Sequence, residues 1–353
     1  MLADPTSPTS IVPPSGMALY IHVPFCKTKC PYCDFNSHAQ QGELPEADYV
    51  AAMLEDLDQD IGYVSDRAIQ SVFIGGGTPS LFSADAYRQL FDGLRQRLRF
   101  ADEVEITLEA NPGTLEQGRF AAYRELGINR LSIGVQSFDP LHLQQLGRIH
   151  SGDDARRAIA SAREAGFDNF NVDLMHGLSG QQRVDALRDL DLAIDSGASH
   201  ISWYQLTIEP GTAFHRDAVV AANEDTGAEM YEMCQQRLTV AGMPAYEVSN
   251  HAGPGKECRH NLEIWRGGDY VGVGPGAHGH VTGNAGTDSI YQIHQPERWL
   301  AAVEVKKHGT AKRQALTPDE RAEEILMTGL RLTEGVNQDQ FRALTGLELG
   351  DRL

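Results

Sequence analysis

Between residues 18 and 207, short apolar runs alternate with longer stretches in which apolar side chains return every three or four positions. Side chains change face at every residue of a strand but share a face every 3.6 residues of a helix, so the two periods separate the elements. They predict strands at Ala18–Val23, Ser71–Gly75, Glu103–Glu109, Arg130–Gln136, Asn169–Met175 and His200–Thr207. Helices are predicted near 45–61, 83–98, 115–126, 152–165, 181–196 and 227–241. Gly127, Gly166, Gly197 and Gly242 stand where helices should end in a left-handed cap. Such alternation implies an α/β fold with a parallel sheet and right-handed crossovers, either partly closed as a barrel or open and doubly wound.

A glycine-rich irregular stretch follows at about 249–287, and further helices are expected at 296–306, 317–333 and 337–346. The expected division is a disordered tail at 1–16, an α/β domain at 17–290 and a small C-terminal helical appendage at 291–353. The 353 residues carry a net charge of −19, which repels phosphate backbones and argues against a nucleic-acid partner. No apolar run approaches the ~20 residues of a membrane span, and the Pro/Ser/Thr-rich start lacks a signal peptide's apolar core. Three of the five cysteines crowd into eight residues, a pattern that suits thiols used as ligands in a reducing compartment. A cytoplasmic location is expected.

Those three are Cys26, Cys30 and Cys33, spaced C-x3-C-x2-C directly after the first strand. Three thiolates can hold three corners of an iron–sulfur cube and leave the fourth iron for another ligand. A second reading adds His38 as the fourth donor of a structural zinc site. Other unusual residues fall at successive strand ends, where parallel α/β sheets bind ligands. They are Gly75-Gly-Gly-Thr-Pro79, Glu109-Ala-Asn-Pro, Gln136-Ser-Phe and Asp173, with Arg148 nearby in the chain. Each has a plainer reading as a turn glycine, a loop-bonded carboxylate or a solvated charge, and it is their conjunction that points to a site.

Tyr20-Ile-His-Val-Pro-Phe-Cys26-x3-Cys30-Pro-Tyr-Cys33, Gly75-Gly-Gly-Thr-Pro79 and Arg130-Leu-Ser-Ile-Gly-Val-Gln136-Ser-Phe together resemble radical S-adenosylmethionine (SAM) proteins of the group related to oxygen-independent coproporphyrinogen III oxidase. The resemblance covers roughly 18–280. It implies a partial (β/α)6 TIM-like barrel with a winged-helix-like appendage, a [4Fe-4S] cluster on Cys26, Cys30 and Cys33, and SAM on the open iron. It further implies that Tyr20 and Tyr32 pack beside SAM, that Gly76, Gly77 and Thr78 contact its methionine end, and that Glu109, Gln136, Arg148 and Asp173 complete the pocket.

Within that group the oxidase resembles C-x3-C-x2-C-x-C, but Phe35 stands at the position of its extra cysteine. This departure, with the short N-terminal tail, favours the HemW-type heme chaperones, which would bind heme and deliver it to hemoproteins such as respiratory enzymes. Cys258-Arg-His260-Asn-Leu-Glu-Ile-Trp265 resembles that branch's His-Asn-x-x-Tyr-Trp signature, with Ile264 in place of the tyrosine, and makes His260 the candidate heme ligand. His278 and His280 are given no ligand role. The helical end is expected to be either a shortened appendage or the end of a fragment, which leaves its contribution open. Decarboxylation of coproporphyrinogen III is the enzymatic alternative, a zinc-stabilised α/β protein the third, and a homodimer is left open.

Overall fold

The computed structural model describes residues 16–40, 42–64, 67–113, 118–283 and 286–352. All six strands expected from the periodicity form, as β1 (Gly16–Val23), β2 (Ala68–Gly76), β3 (Phe100–Ala110), β4 (Arg130–Gln136), β5 (Phe170–His176) and β6 (His200–Gln205). They pair in parallel in chain order. The main crossover helices are α1 (Glu46–Asp58), α2 (Ala84–Arg97), α3 (Phe120–Glu125), α4 (Pro140–Gln145), α5 (Gly152–Glu164), α6 (Arg183–Asp195) and α7 (Glu224–Val240). The predicted helix at 115–126 reduces to α3 among the described residues, since 114–117 lie outside them. The expected tail lies outside them as well, apart from Gly16, which already belongs to β1.

Local chemistry sets the helix ends. Ser83 and Ser151 accept the N-terminal amides of α2 and α5, and α5 adds a capping box through Asp154. Gly127, Gly166, Gly197 and Gly242 all take positive φ past helix ends, as their positions predict.

The sheet divides its two faces sharply. Leu19, Ile21, Val72, Ile74, Ile106, Leu108, Leu131, Ile133, Val172, Leu174, Ile201 and Trp203 are buried on the helix-facing side, in one core with the helices. The alternate positions carry Tyr20, His22, Ser71, Glu105, Thr107, Glu109, Ser132, Asp173, His200 and Ser202. Period two therefore builds an apolar outer shell around a polar interior.

The sheet does not stop at six strands. β7 (Asn250–Ala252) pairs antiparallel with β6, and β8 (Tyr270–Val273) pairs in parallel with the other side of β1. β9 (His278–Gly283), β10 (Gly286–Gln292) and β11 (Thr310–Ala315) extend that edge as antiparallel partners, giving an eleven-stranded sheet. The glycine-rich stretch expected to be irregular thus holds strands, and β11 carries the sheet past residue 290 into the segment expected to be helical. Helices α8 (Arg259–Trp265), α9 (Pro296–Lys306), α10 (Pro318–Gly329) and α11 (Gln338–Thr345) complete the chain, and α10 and α11 share a small core of Ala322, Ile325, Phe341 and Leu344. No helix among the described residues is long and apolar enough to cross a membrane.

Candidate functional site

β1 runs directly into the cysteine loop, and the loop is tied down on two sides. Phe25–Cys26 pairs with His38–Ala39. His22 Nε2 lies 2.8 Å from Asn36 O, while Asn36 Nδ2 donates to the carbonyls of Pro275 and His294, each at 2.7 Å. Two glycines let β2 approach the loop. A Cβ on Gly77 would stand 2.6 Å from Phe25 O, and one on Gly76, whose φ is 116°, would stand 2.6 Å from the His22 ring.

Each of the three sulfurs has a hydrogen-bonding side chain beside it. Thr78 Oγ1 donates to Cys26 Sγ at 3.5 Å, Arg148 Nη1 donates to Cys30 Sγ at 3.4 Å, and Ser37 Oγ lies 3.4 Å from Cys33 Sγ. Cys26 is buried, whereas Cys30 and Cys33 are half-buried and open onto the same cleft. Burial pushes the Cys26 thiol up, and the Thr78 bond opposes that shift.

The cleft encloses about 410 Å³ at the carboxyl ends of the strands. It gathers Cys26, Cys30, Cys33, Tyr32, Gly76, Gly77, Thr78, Glu109, Gln136, Arg148 and Asp173, which are eleven of the thirteen residues expected at the site. Glu109 Oε2 accepts from Gly76 N at 3.1 Å. Burial, and next the facing Asp173, push the Glu109 carboxyl up to about 8. Asp173 is also raised by burial, against hydrogen bonds from Asn171 Nδ2 at 2.7 Å and Ser132 Oγ at 3.2 Å. Gln136 ends β4 with φ at +69°, a conformation that costs a non-glycine residue about 1–3 kcal/mol. The turn after it is held by buried Asp189, which accepts from Ser137 Oγ and Phe138 N.

The other two expected residues lie deeper. Tyr20 stacks on Phe73, with ring centroids 6.4 Å apart, and its hydroxyl is 2.9 Å from His22 Nδ1. His260 lies one layer further from the cleft, in α8. Its Nδ1 is 3.2 Å from Ser71 Oγ, its ring is 5.2 Å from Phe73, and its backbone N–H donates to Glu105 Oε1 at 3.4 Å. The side chain is buried, which holds the imidazole down to about 3, and Nε2 has no hydrogen-bond partner among the described residues.

Asn111, inside the Glu109-Ala-Asn-Pro run but given no role of its own, also lines the cleft, as do Tyr204, Gln205, Thr207 and Glu209, which were not singled out from the sequence. Their signal was position alone, at the ends of the third and sixth predicted strands. Phe35 is 65% exposed and lines the mouth of the cleft.

The donor set is three thiols on one loop, which can hold three corners of an iron–sulfur cube and leave the fourth iron open. Among the described residues, no three His, Cys, Asp or Glu side chains converge on a point that could hold one metal ion. His38, the fourth donor of the zinc reading, has its Nε2 2.8 Å from Asn36 Oδ1.

Comparison with known proteins places this arrangement. Residues 20–193 match the radical SAM superfamily, and residues 316–353 match the HemN C-terminal domain. The chain is 46% identical to the heme chaperone HemW of Escherichia coli over 332 residues, covering 94% of this chain and 86% of that protein. The corresponding protein of Haemophilus influenzae is 44% identical, with the same coverage. Radical S-adenosyl methionine domain-containing protein 1 of Bos taurus mitochondria is 37% identical over 96% of this chain and 78% of its own length. In fold, the chain superposes on the coproporphyrinogen III oxidase HemN of E. coli with a TM-score of 0.82 at 20% identity, over 97% of this chain and 81% of that one.

Proposed function

This chain belongs to the heme chaperone HemW family of radical SAM proteins, and we propose from that membership that it binds heme and delivers it to acceptor hemoproteins such as respiratory enzymes. The observation that carries the proposal is the 46% identity to a heme chaperone across 94% of the chain. Phe35 agrees with it, because an exposed phenyl ring occupies the position at which the oxidase resemblance calls for a fourth thiol. The same reading puts the work in the cytoplasm and leaves a homodimer to be measured.

In this reading Cys26, Cys30 and Cys33 hold a [4Fe-4S] cluster, and SAM fills the rest of the cleft. Together these groups supply one-electron chemistry when bound. The chain's own contribution is placement. The tied-down loop presents the three sulfurs without further folding, and the Gly76 and Gly77 backbone lines the same cleft, where it would pair with an amino acid's ammonium and carboxylate. Glu109 and Asp173 face each other, so an incoming cation would relieve their repulsion and release the proton that Glu109 holds. Arg148 anchors the opposite wall through Asn111 and Gly134. His260 is buried, so heme iron would reach its Nε2 only if the packing around α8 opened, while the Nδ1 contact to Ser71 could stay in place.

Anaerobically reconstituted protein should give a stable Soret band with heme that weakens in His260→Ala, and should pass the heme to an apo-hemoprotein. Conversion of coproporphyrinogen III to decarboxylated product, with no heme transfer, would overturn the proposal in favour of the oxidase.

A further inference from the structure

Two of the hydrogen bonds to sulfur are coupled through one residue. Arg148 Nη2 donates to Asn111 Oδ1 at 2.6 Å, and Asn111 Nδ2 donates to Thr78 Oγ1 at 2.9 Å. Arg148 Nη1 reaches Cys30 Sγ, and Thr78 Oγ1 reaches Cys26 Sγ. The result is an unbroken chain from Cys26 through Thr78, Asn111 and Arg148 to Cys30.

Its polarity is forced. Guanidinium can only donate, so the carboxamide oxygen must face Arg148 and its NH₂ must face Thr78. The Thr78 oxygen then accepts, and its single proton is left to point at Cys26. Neither threonine nor arginine alone dictates that direction; the amide does.

The site is also shaped to hold this amide. A Cβ on Gly134 would lie 3.1 Å from Asn111 Oδ1 and 3.5 Å from Arg148 Nη2, so a side chain there would crowd both. On its far side, Asn111 borders a second pocket of about 220 Å³, which shares Cys30, Thr78 and Arg148 with the cleft. The amide is thus part of the wall between the two spaces.

We infer that Asn111 is a positioning residue for the cysteine ligands, aiming the Thr78 hydroxyl at Cys26 and the Arg148 guanidinium at Cys30, and thereby setting the reduction potential of the cluster they hold. The inference rests on the functional reading above, since it presumes a cluster on these thiols. Hydrogen bonds to sulfur stabilise the more electron-rich reduced state, and solvent exposure shifts it further.

Redox titration followed by electron paramagnetic resonance of anaerobically reconstituted protein tests this without any assay of activity. In Asn111→Leu the ratio of reduced to oxidised cluster at a fixed applied potential should fall about tenfold, equal to about 59 mV for one electron. Asn111→Asp is nearly isosteric and should fall further, because a carboxylate accepts the Thr78 proton that Cys26 now receives and adds a negative charge. The effect of Asn111→Leu should shrink when made in Thr78→Val, since part of it acts through that hydroxyl. An unchanged potential in Asn111→Asp, or full additivity in the double variant, would overturn the inference. Failure of the parent protein to assemble any [4Fe-4S] cluster would instead overturn the functional reading beneath it.

Discussion

Burial and the facing Asp173 raise the Glu109 carboxyl, and Asn111 joins Thr78 to Arg148. The cysteines, the glycines and Glu109 were legible because their spacing or type is unusual at a strand end. The role of Asn111 within the Glu109-Ala-Asn-Pro run was not, because an asparagine before a proline looks like a turn former, and only folding brings Thr78 and Arg148 to its two ends. Two predictions belong at this scale. Glu109 holds its proton up to about 8 in the fold, against an ordinary value of 4.5. The unfolded chain therefore releases a proton that the folded one keeps, so the group's stabilisation is present below 4.5 and is lost as pH rises through about 8. Melting curves of ligand-free protein at pH 5 and pH 8 should show Glu109→Gln gaining on the parent by about 1–3 kcal/mol at the higher pH, a figure reduced because cleft water reaches the carboxyl; parallel curves would contradict it. In Gly77→Ala, the new methyl meets a backbone oxygen that cannot step aside. Loss of about 1–3 kcal/mol of stability is expected, together with poor iron incorporation, read by melting and by iron content.

At the scale of elements, the six parallel strands were legible from periodicity because apolar residues face the helices at every second position. The edge strands were harder. β8 has only four residues and lies among glycines, and β9 to β11 mix polar residues with small ones, so neither period dominates. They form because the free edge of β1 supplies backbone partners, a tertiary cause that local pattern does not carry. The C-terminal segment is attached in a way the sequence also hides. Arg331, just past α10, reaches fully buried Glu247 at 2.8 Å, and Glu247 also accepts from Asn250 Nδ2 at 2.6 Å. Removing the cation strands a buried carboxylate. Arg331→Met should cost about 3 kcal/mol in a denaturant melt, and a change below about 0.5 kcal/mol would show that solvent replaces the arginine.

Across the whole molecule, the cleft and the α8 signature occupy different layers of one polar interior, with Tyr20 between them; its ring lies 6.3 Å from His260 and its hydroxyl 2.9 Å from His22. This separation was not legible, because residues 20 and 260 give no hint of sharing one polar interior. It predicts that folded His260→Ala weakens the heme Soret band while the affinity for SAM, measured by equilibrium dialysis, stays within about threefold, a difference of about 0.65 kcal/mol. A parallel loss of both would mean that one site serves the two ligands.

The proposed function depends on a cluster with one iron free of protein sulfur. The direct measurement is the electron paramagnetic resonance spectrum of the reduced, anaerobically reconstituted protein before and after addition of SAM. A [4Fe-4S] signal whose g-values change on addition, and which is lost when Cys26, Cys30 and Cys33 are all replaced by alanine, is the predicted result. A signal indifferent to SAM, or stoichiometric zinc in place of iron, would contradict it.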